Sequence, residues 1–115
     1  MDTPGIDPHV APSGPGCAAC EELGGWWFHL RRCAQCGLVG CCDSSPAQHA
    51  SRHAREQGHP WIRSYEPGET WFYSYPDDAM SEGPELAAPL HHPVGQASPG
   101  PLGRVPDDWR QRLNR

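Results

Sequence analysis

All six cysteines of this 115-residue chain fall between Cys17 and Cys42, and three spaced histidines follow at His49, His53 and His59. The cysteines are grouped as Cys17-x-x-Cys20, Cys33-x-x-Cys36 and the adjacent pair Cys41 and Cys42. Two such knuckles, a further cysteine and three histidines supply eight thiolate or imidazole donors, enough for two closed four-donor zinc sites with one cysteine left over. Disulfides are the bland alternative. They require an oxidising compartment, and the start Met1-Asp2-Thr3-Pro4-Gly5-Ile6 has neither the basic nor the apolar region of a secretory leader. A thioredoxin-like redox role needs a C-x-x-C motif opening a helix in a strand and helix context, and the sequence offers no such context. The expectation is therefore metal.

The punctuation of the chain sets its boundaries. It has 14 Pro and 13 Gly, with four Pro in residues 1–16, seven in residues 76–115 and only Pro46, Pro60 and Pro67 between. Residues 1–16 read as a disordered leader, 17–80 as the folded unit and 81–115 as a largely disordered tail. A unit of that size buries too little apolar surface to be comfortably stable alone, which is where structural metal is recruited. The net charge of −5 is not the footprint of a nucleic-acid binder, and every one of the nine basic residues is Arg. No apolar run approaches a membrane span, so the expected location is cytoplasmic.

Local patterning then places the elements. Trp26 to Leu30 is an aromatic run suited to a strand, with Trp26, Phe28 and Leu30 on one face and Trp27 and His29 on the other. His29 is expected as a hydrogen-bonded imidazole at the sheet surface rather than as a substitute ligand. Gly37 to Cys41 reads as a short strand. A helix is expected from Ser45 as N-cap, with Pro46 at the first helical position, Gln48 completing a capping box and Gly58 as the left-handed C-cap. Ala47, Ala50 and Ala54 give it a narrow small-residue stripe, and His49 and His53, four apart, share one side. Trp61 to Tyr65 and Thr70 to Tyr75 read as strands joined by the turn Glu66-Pro67-Gly68-Glu69. Trp71, Tyr73 and Tyr75 share a face of the second, as core or as a recognition platform. In the tail, His91 and His92 are expected in solvent, and Asp107 to Leu113 could form one or two helical turns with Trp109 and Leu113 paired.

From Cys17 to about Met80 the string C-x2-C, x12, C-x2-C, x4, C, x7, H, x3, H, x5, H-P, closed by Trp71-Phe72-Tyr73-Ser74-Tyr75-Pro76-Asp77-Asp78, resembles the ubiquitin-protease-type zinc finger, particularly its short bacterial members. The resemblance implies a compact α+β fold, a small twisted antiparallel sheet with one principal helix packed on it. Carried over position by position, it assigns Cys17, Cys20, Cys41 and His49 to one zinc ion and Cys33, Cys36, His53 and His59 to a second. Cys42 stands where the family has Gly and is the odd cysteine. The choice of Cys41 over Cys42 rests on the family spacing. Sites so filled have no open position for water or substrate, so the expected protein is not an enzyme.

The resemblance also implies a partner. Family members that bind ubiquitin take its free C-terminal Gly-Gly tail into a pocket, clamped by aromatics and held by an Arg of a Cys-Gly-Arg motif. Trp27, Tyr73 and Tyr75 occupy the aromatic positions. Cys41-Cys42-Asp43 stands where Cys-Gly-Arg would be, and an acid in place of a cation removes attraction for an anionic terminus and adds repulsion. Arg31, Arg32 and Arg63 are the cations that could replace it from another strand. The leading expectation is a zinc-stabilised, non-catalytic interaction module that docks an extended peptide or protein terminus, of unknown identity, on Trp27, Tyr73 and Tyr75. The rival is a structural or metal-handling zinc protein. Single-stranded nucleic-acid binding through the aromatics is disfavoured by the acidic balance.

Overall fold

The local geometry starts at the cysteines. In the computed structural model, which describes residues 5–113, Cys17 caps a short helix α1 (Ala18–Leu23) by accepting the Cys20 N–H on its sulfur at 3.4 Å, and Gly24 in the left-handed region closes it. Cys36 N–H approaches the Cys33 sulfur in the same way at 3.5 Å, and Gly37, at φ 82°, completes that turn. The second knuckle thereby becomes the hairpin bend between β1 (Leu30–Cys33) and β2 (Val39–Cys41).

Beyond the hairpin come α2 (His49–Gln57), β3 (Trp61–Ser64), β4 (Phe72–Ser74) and β5 (Ala79–Ser81), then a 3-10 turn at Leu102–Arg104 and α3 (Trp109–Leu113). The strands form one antiparallel sheet in the order β2-β1-β3-β4-β5. The fold is α+β with α2 as its longest helix, packed on β2 and β1. β5 and α1 were not expected from the sequence, and the first strand begins at Leu30 rather than Trp26.

The principal helix also starts later than the capping signal at Ser45 suggests. It begins at His49 after Gln48, which sits in the left-handed region at φ 53° with no side-chain cap. Ser45 is spent elsewhere: it is buried, and its hydroxyl accepts the Phe28 N–H at 2.8 Å. The His49 N–H donates instead to the Cys41 sulfur at 3.2 Å, so a candidate ligand does the capping and fixes where the helix can begin. At the other end Gly58 is the left-handed C-cap that the sequence indicates.

Register divides the sheet into two faces, because residues paired across antiparallel strands point the same way. One face carries Leu30, Arg32, Val39, Cys41, Arg63 and Phe72; the other carries Arg31, Gly40, Ile62, Tyr73 and Met80. The second face takes α2 at Gly40, where a Cβ would stand 2.8 Å from the Ala50 nitrogen. Ala50, Ser51 and Ala54 are the buried residues of the helix, so small side chains permit this approach.

The first face is covered by the flanking segments. Arg32 and Arg63 are a cross-strand pair of buried guanidinium groups, and burial pulls the pKa of each down. Backbone carbonyls from the leader and the tail accept from them: Arg32 donates to Val10 O at 2.6 Å and Pro89 O at 3.0 Å, with its Nε left without a partner among the described residues, and Arg63 donates to Leu90 O at 2.8 Å. Ile6 and Leu86 complete an apolar cluster with Ala34 and Phe72. Disorder of the tails is not confirmed, since parts of both lie on the sheet. Composition alone could not reveal this, because the contacts are a few backbone carbonyls and scattered side chains such as Ile6 and Leu86 within Pro- and Gly-rich segments.

A Cβ at Gly40 has to push helix backbone rather than a mobile side-chain tip. Gly40→Ala is expected to cost about 1–3 kcal/mol. Gly14→Ala, in open space, is expected to be neutral. Thermal melts of the two zinc-loaded variants check both expectations.

Candidate metal centres and an adjoining groove

Strand and helix ends bring the donors together in two groups. Cys17, Cys20, Cys41 and His49 form one, and Cys33, Cys36, His53 and His59 the other, with the four donor atoms of each all within 4.8 Å of one another. The first draws on the α1 N-terminus, the end of β2 and the start of α2. The second joins the β1–β2 bend to α2 and the residue after its cap. His49 and His53 thus serve different groups although one helical turn separates them.

Spacing within each group matches tetrahedral zinc. Zn–S bonds of about 2.3 Å and Zn–N bonds of about 2.05 Å place sulfurs about 3.8 Å apart, sulfur and nitrogen about 3.6 Å, and two nitrogens about 3.3 Å. In the first group Cys20 and Cys41 sulfurs are 3.9 Å apart, and His49 Nδ1 lies 3.3 Å from the Cys17 and Cys20 sulfurs and 3.6 Å from that of Cys41. In the second, Cys33 Sγ to His59 Nδ1 is 3.5 Å, Cys36 Sγ to His53 Nε2 3.3 Å, and His53 Nε2 to His59 Nδ1 3.3 Å. The two clusters fit two zinc sites. None of the six cysteines is in a disulfide.

The electrostatics suit a cation. Among themselves the thiols of the first group compete for one negative charge. Hydrogen bonds from the Cys20 and Cys41 side chains pull Cys17 down to about 3, while the contact with Cys17 pushes Cys20 and Cys41 up. In the second group burial pushes Cys33 up to about 11, and burial with the neighbouring His59 holds His53 down, keeping its imidazole neutral. A divalent ion stabilises several thiolates at once, which the protein alone does not. Bound to all four donors, each site would be closed, with net charges of −1 and 0.

The two groups differ in exposure. Cys17, Cys20 and Cys41 are buried, whereas Cys36 is exposed and His53 and His59 are half-buried. Cys42, the odd cysteine, belongs to neither group; it is buried with its sulfur 3.4 Å from the Ser45 hydroxyl.

Beside these centres, on the face that carries α2, the sheet opens into a groove of about 310 Å³. Trp71, Tyr73 and Tyr75 line it together, as their shared face suggests, with the Tyr73 and Tyr75 rings edge to face at 5.2 Å. The Tyr73 hydroxyl donates to Asp78. Ile62, Met80, Cys42 and Asp43 complete the walls. Arg31 is the cation here, its guanidinium 4.8 Å from the Trp71 ring and donating to Leu30 O. Strand alternation sends Arg31 and Arg32 to opposite faces without saying which face holds the groove; Met80 had no signal at all, since β5 was not foreseen.

Trp27 is not in the groove. It is 2 % exposed, packs with Cys17, Cys20 and Tyr65, and exchanges backbone hydrogen bonds with Gly100 at 2.9 and 3.0 Å. The alternation expected of Trp26 to Leu30 does not apply, because β1 begins only at Leu30. His92, expected in solvent, is instead buried 3.1 Å from Glu66. The other Glu66 oxygen faces His29 at 3.1 Å, and the Leu30 N–H donates to Glu66 at 2.9 Å. His29 is thus the hydrogen-bonded surface imidazole the sequence indicates.

Burial alone would raise the Glu66 carboxyl, but the bonds from His29, Leu30 and His92 outweigh it and bring the group down from 4.5 to about 2. A lowered folded-state pKa contributes stability that is complete above the unfolded value and lost as pH falls through 4.5 toward 2. Glu66→Gln should therefore destabilise the zinc-loaded protein by on the order of 3 kcal/mol at pH 7. The gap from the parent chain should narrow below pH 4.5, as read by denaturant titration across pH. Native mass spectrometry should count two zinc ions, with loss of fold on chelation. Cys36→Ser should weaken one ion selectively, and Cys42→Ser should retain both.

The comparisons agree with this geometry. No curated protein matches the chain. A protein of Rhodopseudomonas palustris with a solution NMR structure is 39% identical, with a TM-score of 0.64 over 86% of this chain and 95% of that one. The family model for the Zn-finger in ubiquitin-hydrolases and other proteins matches residues 17–86, more than half of the chain. With both donor clusters inside that span, the chain belongs to the ubiquitin-hydrolase-type zinc-finger family.

Proposed function

We propose that this protein is a non-catalytic zinc-binding interaction module that docks an extended peptide or protein terminus in the groove along Trp71, Tyr73 and Tyr75. The observation that carries the reading is that groove: an open aromatic channel on the sheet face beside α2, with Arg31 on its wall. Aromatic rings supply contact area to an extended chain, and Arg31 offers the cation for a terminal carboxylate that Asp43 does not. Arg32 and Arg63 are committed to leader and tail carbonyls on the opposite face, which leaves Arg31 for this role.

A binding rather than chemical role is supported by the donor sets. Four protein donors per ion leave no coordination place for water or substrate. Cysteines gathered as zinc donors rather than joined in disulfides suit a reducing compartment, which favours the cytoplasm. No helix among the described residues is long and apolar enough to cross a membrane.

One observation favours a second reading. The exposed Cys36 and half-buried His53 and His59 leave the second centre open to competing ligands, as a metal-handling protein would require.

Titration of the zinc-loaded chain with peptides ending in free Gly-Gly separates the two. Docking predicts saturable binding that weakens about tenfold or more in Tyr73→Ala, Tyr75→Ala and Arg31→Gln, and with an amidated terminus. Binding insensitive to all of these, or none, with zinc passing rapidly to a chromogenic chelator, supports metal handling instead.

A further inference from the structure

The groove does not stop at Tyr75. Tyr75 and Asp43 also wall a second depression, of about 370 Å³, whose far side is Ser51, Ala54 and Arg55 of α2. The two depressions share Tyr75 and Asp43 as a saddle. Charge alternates along this path: Arg31 in the first depression, Asp43 on the saddle, Arg55 beyond it.

The Asp43 carboxylate is the acidic group on this path, with Arg31 over the Trp71 ring on one side and Arg55 on the other. Asp43 is exposed, and among the described residues its backbone carbonyl accepts the Gln48 amide at 2.9 Å while its side chain has no ion pair or hydrogen bond. The Asp43 carboxylate and the Tyr75 ring therefore stand together at the saddle, the one anionic group between two arginines.

We propose that the saddle selects a basic residue: an extended peptide lying along both depressions places a lysine or arginine side chain between the Tyr75 ring and the Asp43 carboxylate. The inference rests on the groove being a docking site, and adds the class of residue it reads. An aromatic ring beside a carboxylate holds a cation twice over, by the ring quadrupole and by charge. The Tyr73 ring, packed against Tyr75 and tied through its hydroxyl to Asp78, holds that wall in place. A neutral side chain at this point gains neither attraction, and an acidic one is repelled.

The test uses the zinc-loaded full chain and three pools of fluorescein-labelled heptapeptides with free C-termini. The pools have one position fixed as Arg, Gln or Glu and the rest drawn from Gly, Ala and Leu. Fluorescence polarisation should show the Arg pool binding about tenfold tighter than the Gln pool, with Glu weakest and the Arg advantage shrinking as salt rises. Asp43→Asn should bring the Arg pool down to the Gln pool, and Asp43→Arg should reverse the order of Arg and Glu. Zinc counts by native mass spectrometry verify that these variants are folded. Equal binding of the Arg and Gln pools to the parent chain, abolished together by Tyr75→Ala, overturns the selection while leaving the groove intact. Absence of binding by every pool, or binding that Tyr75→Ala does not touch, overturns the groove itself.

Discussion

The requirement that eight sulfur and nitrogen donors gather into two tetrahedral sets governs the remainder of this fold. A domain of this size has a small apolar interior, and the first donor set is itself part of that interior, with Cys17, Cys20 and Cys41 packed against Trp27, Leu30, Val39 and Tyr65. The donors also do local work on the backbone. A cysteine sulfur caps α1, another receives the N–H that begins α2, and the second knuckle is the bend of the first hairpin. Metal binding and chain folding are thus one equilibrium in this molecule.

The sheet then sorts cations by alternation. Arg31 and Arg32 are neighbours in sequence, yet the strand sends one to the groove and the other under the flanking segments. The buried guanidinium groups of Arg32 and Arg63 would repel one another unless acceptors surrounded them, and the leader and tail bring those acceptors as peptide carbonyls. Glu66 adds a second anchor, holding His29 from the domain and His92 from the tail at 3.1 Å each. Segments that look like linkers by composition are in this way part of the covering of one face. The opposite face stays open beyond α2, and that is where the groove lies.

Much of the donor set was legible because metal ligation writes itself into spacing. Cys-x-x-Cys is the turn that a shared ion permits, and His49 and His53 fall on one side of a helix that the Ala stripe and Gly58 announce. The start of that helix was misread because Ser45 carries a good capping signal, yet its hydroxyl is claimed by the Phe28 backbone. Trp27 was placed on the docking surface by its position in the family resemblance; in this chain the strand begins only at Leu30, and the ring is in the interior. Trp71, Tyr73 and Tyr75 do line one groove, because the alternation of β4 (Phe72–Ser74) carries over to the residue on each side of it.

By itself the sequence determined the chemistry: which atoms can bind zinc, how many ions they can close around, and which aromatics line up on one strand. These are properties of residue type and short spacing, and need no knowledge of distant neighbours. Only the tertiary structure decided which arginine meets the groove, which thiol of the Cys41 and Cys42 pair joins a donor set, and that Glu66 is clasped by a histidine from the tail. Each of those depends on strand register and on contacts between segments far apart in the chain. A shift of one residue in register reverses a side chain's face, and no local signal in the sequence records it.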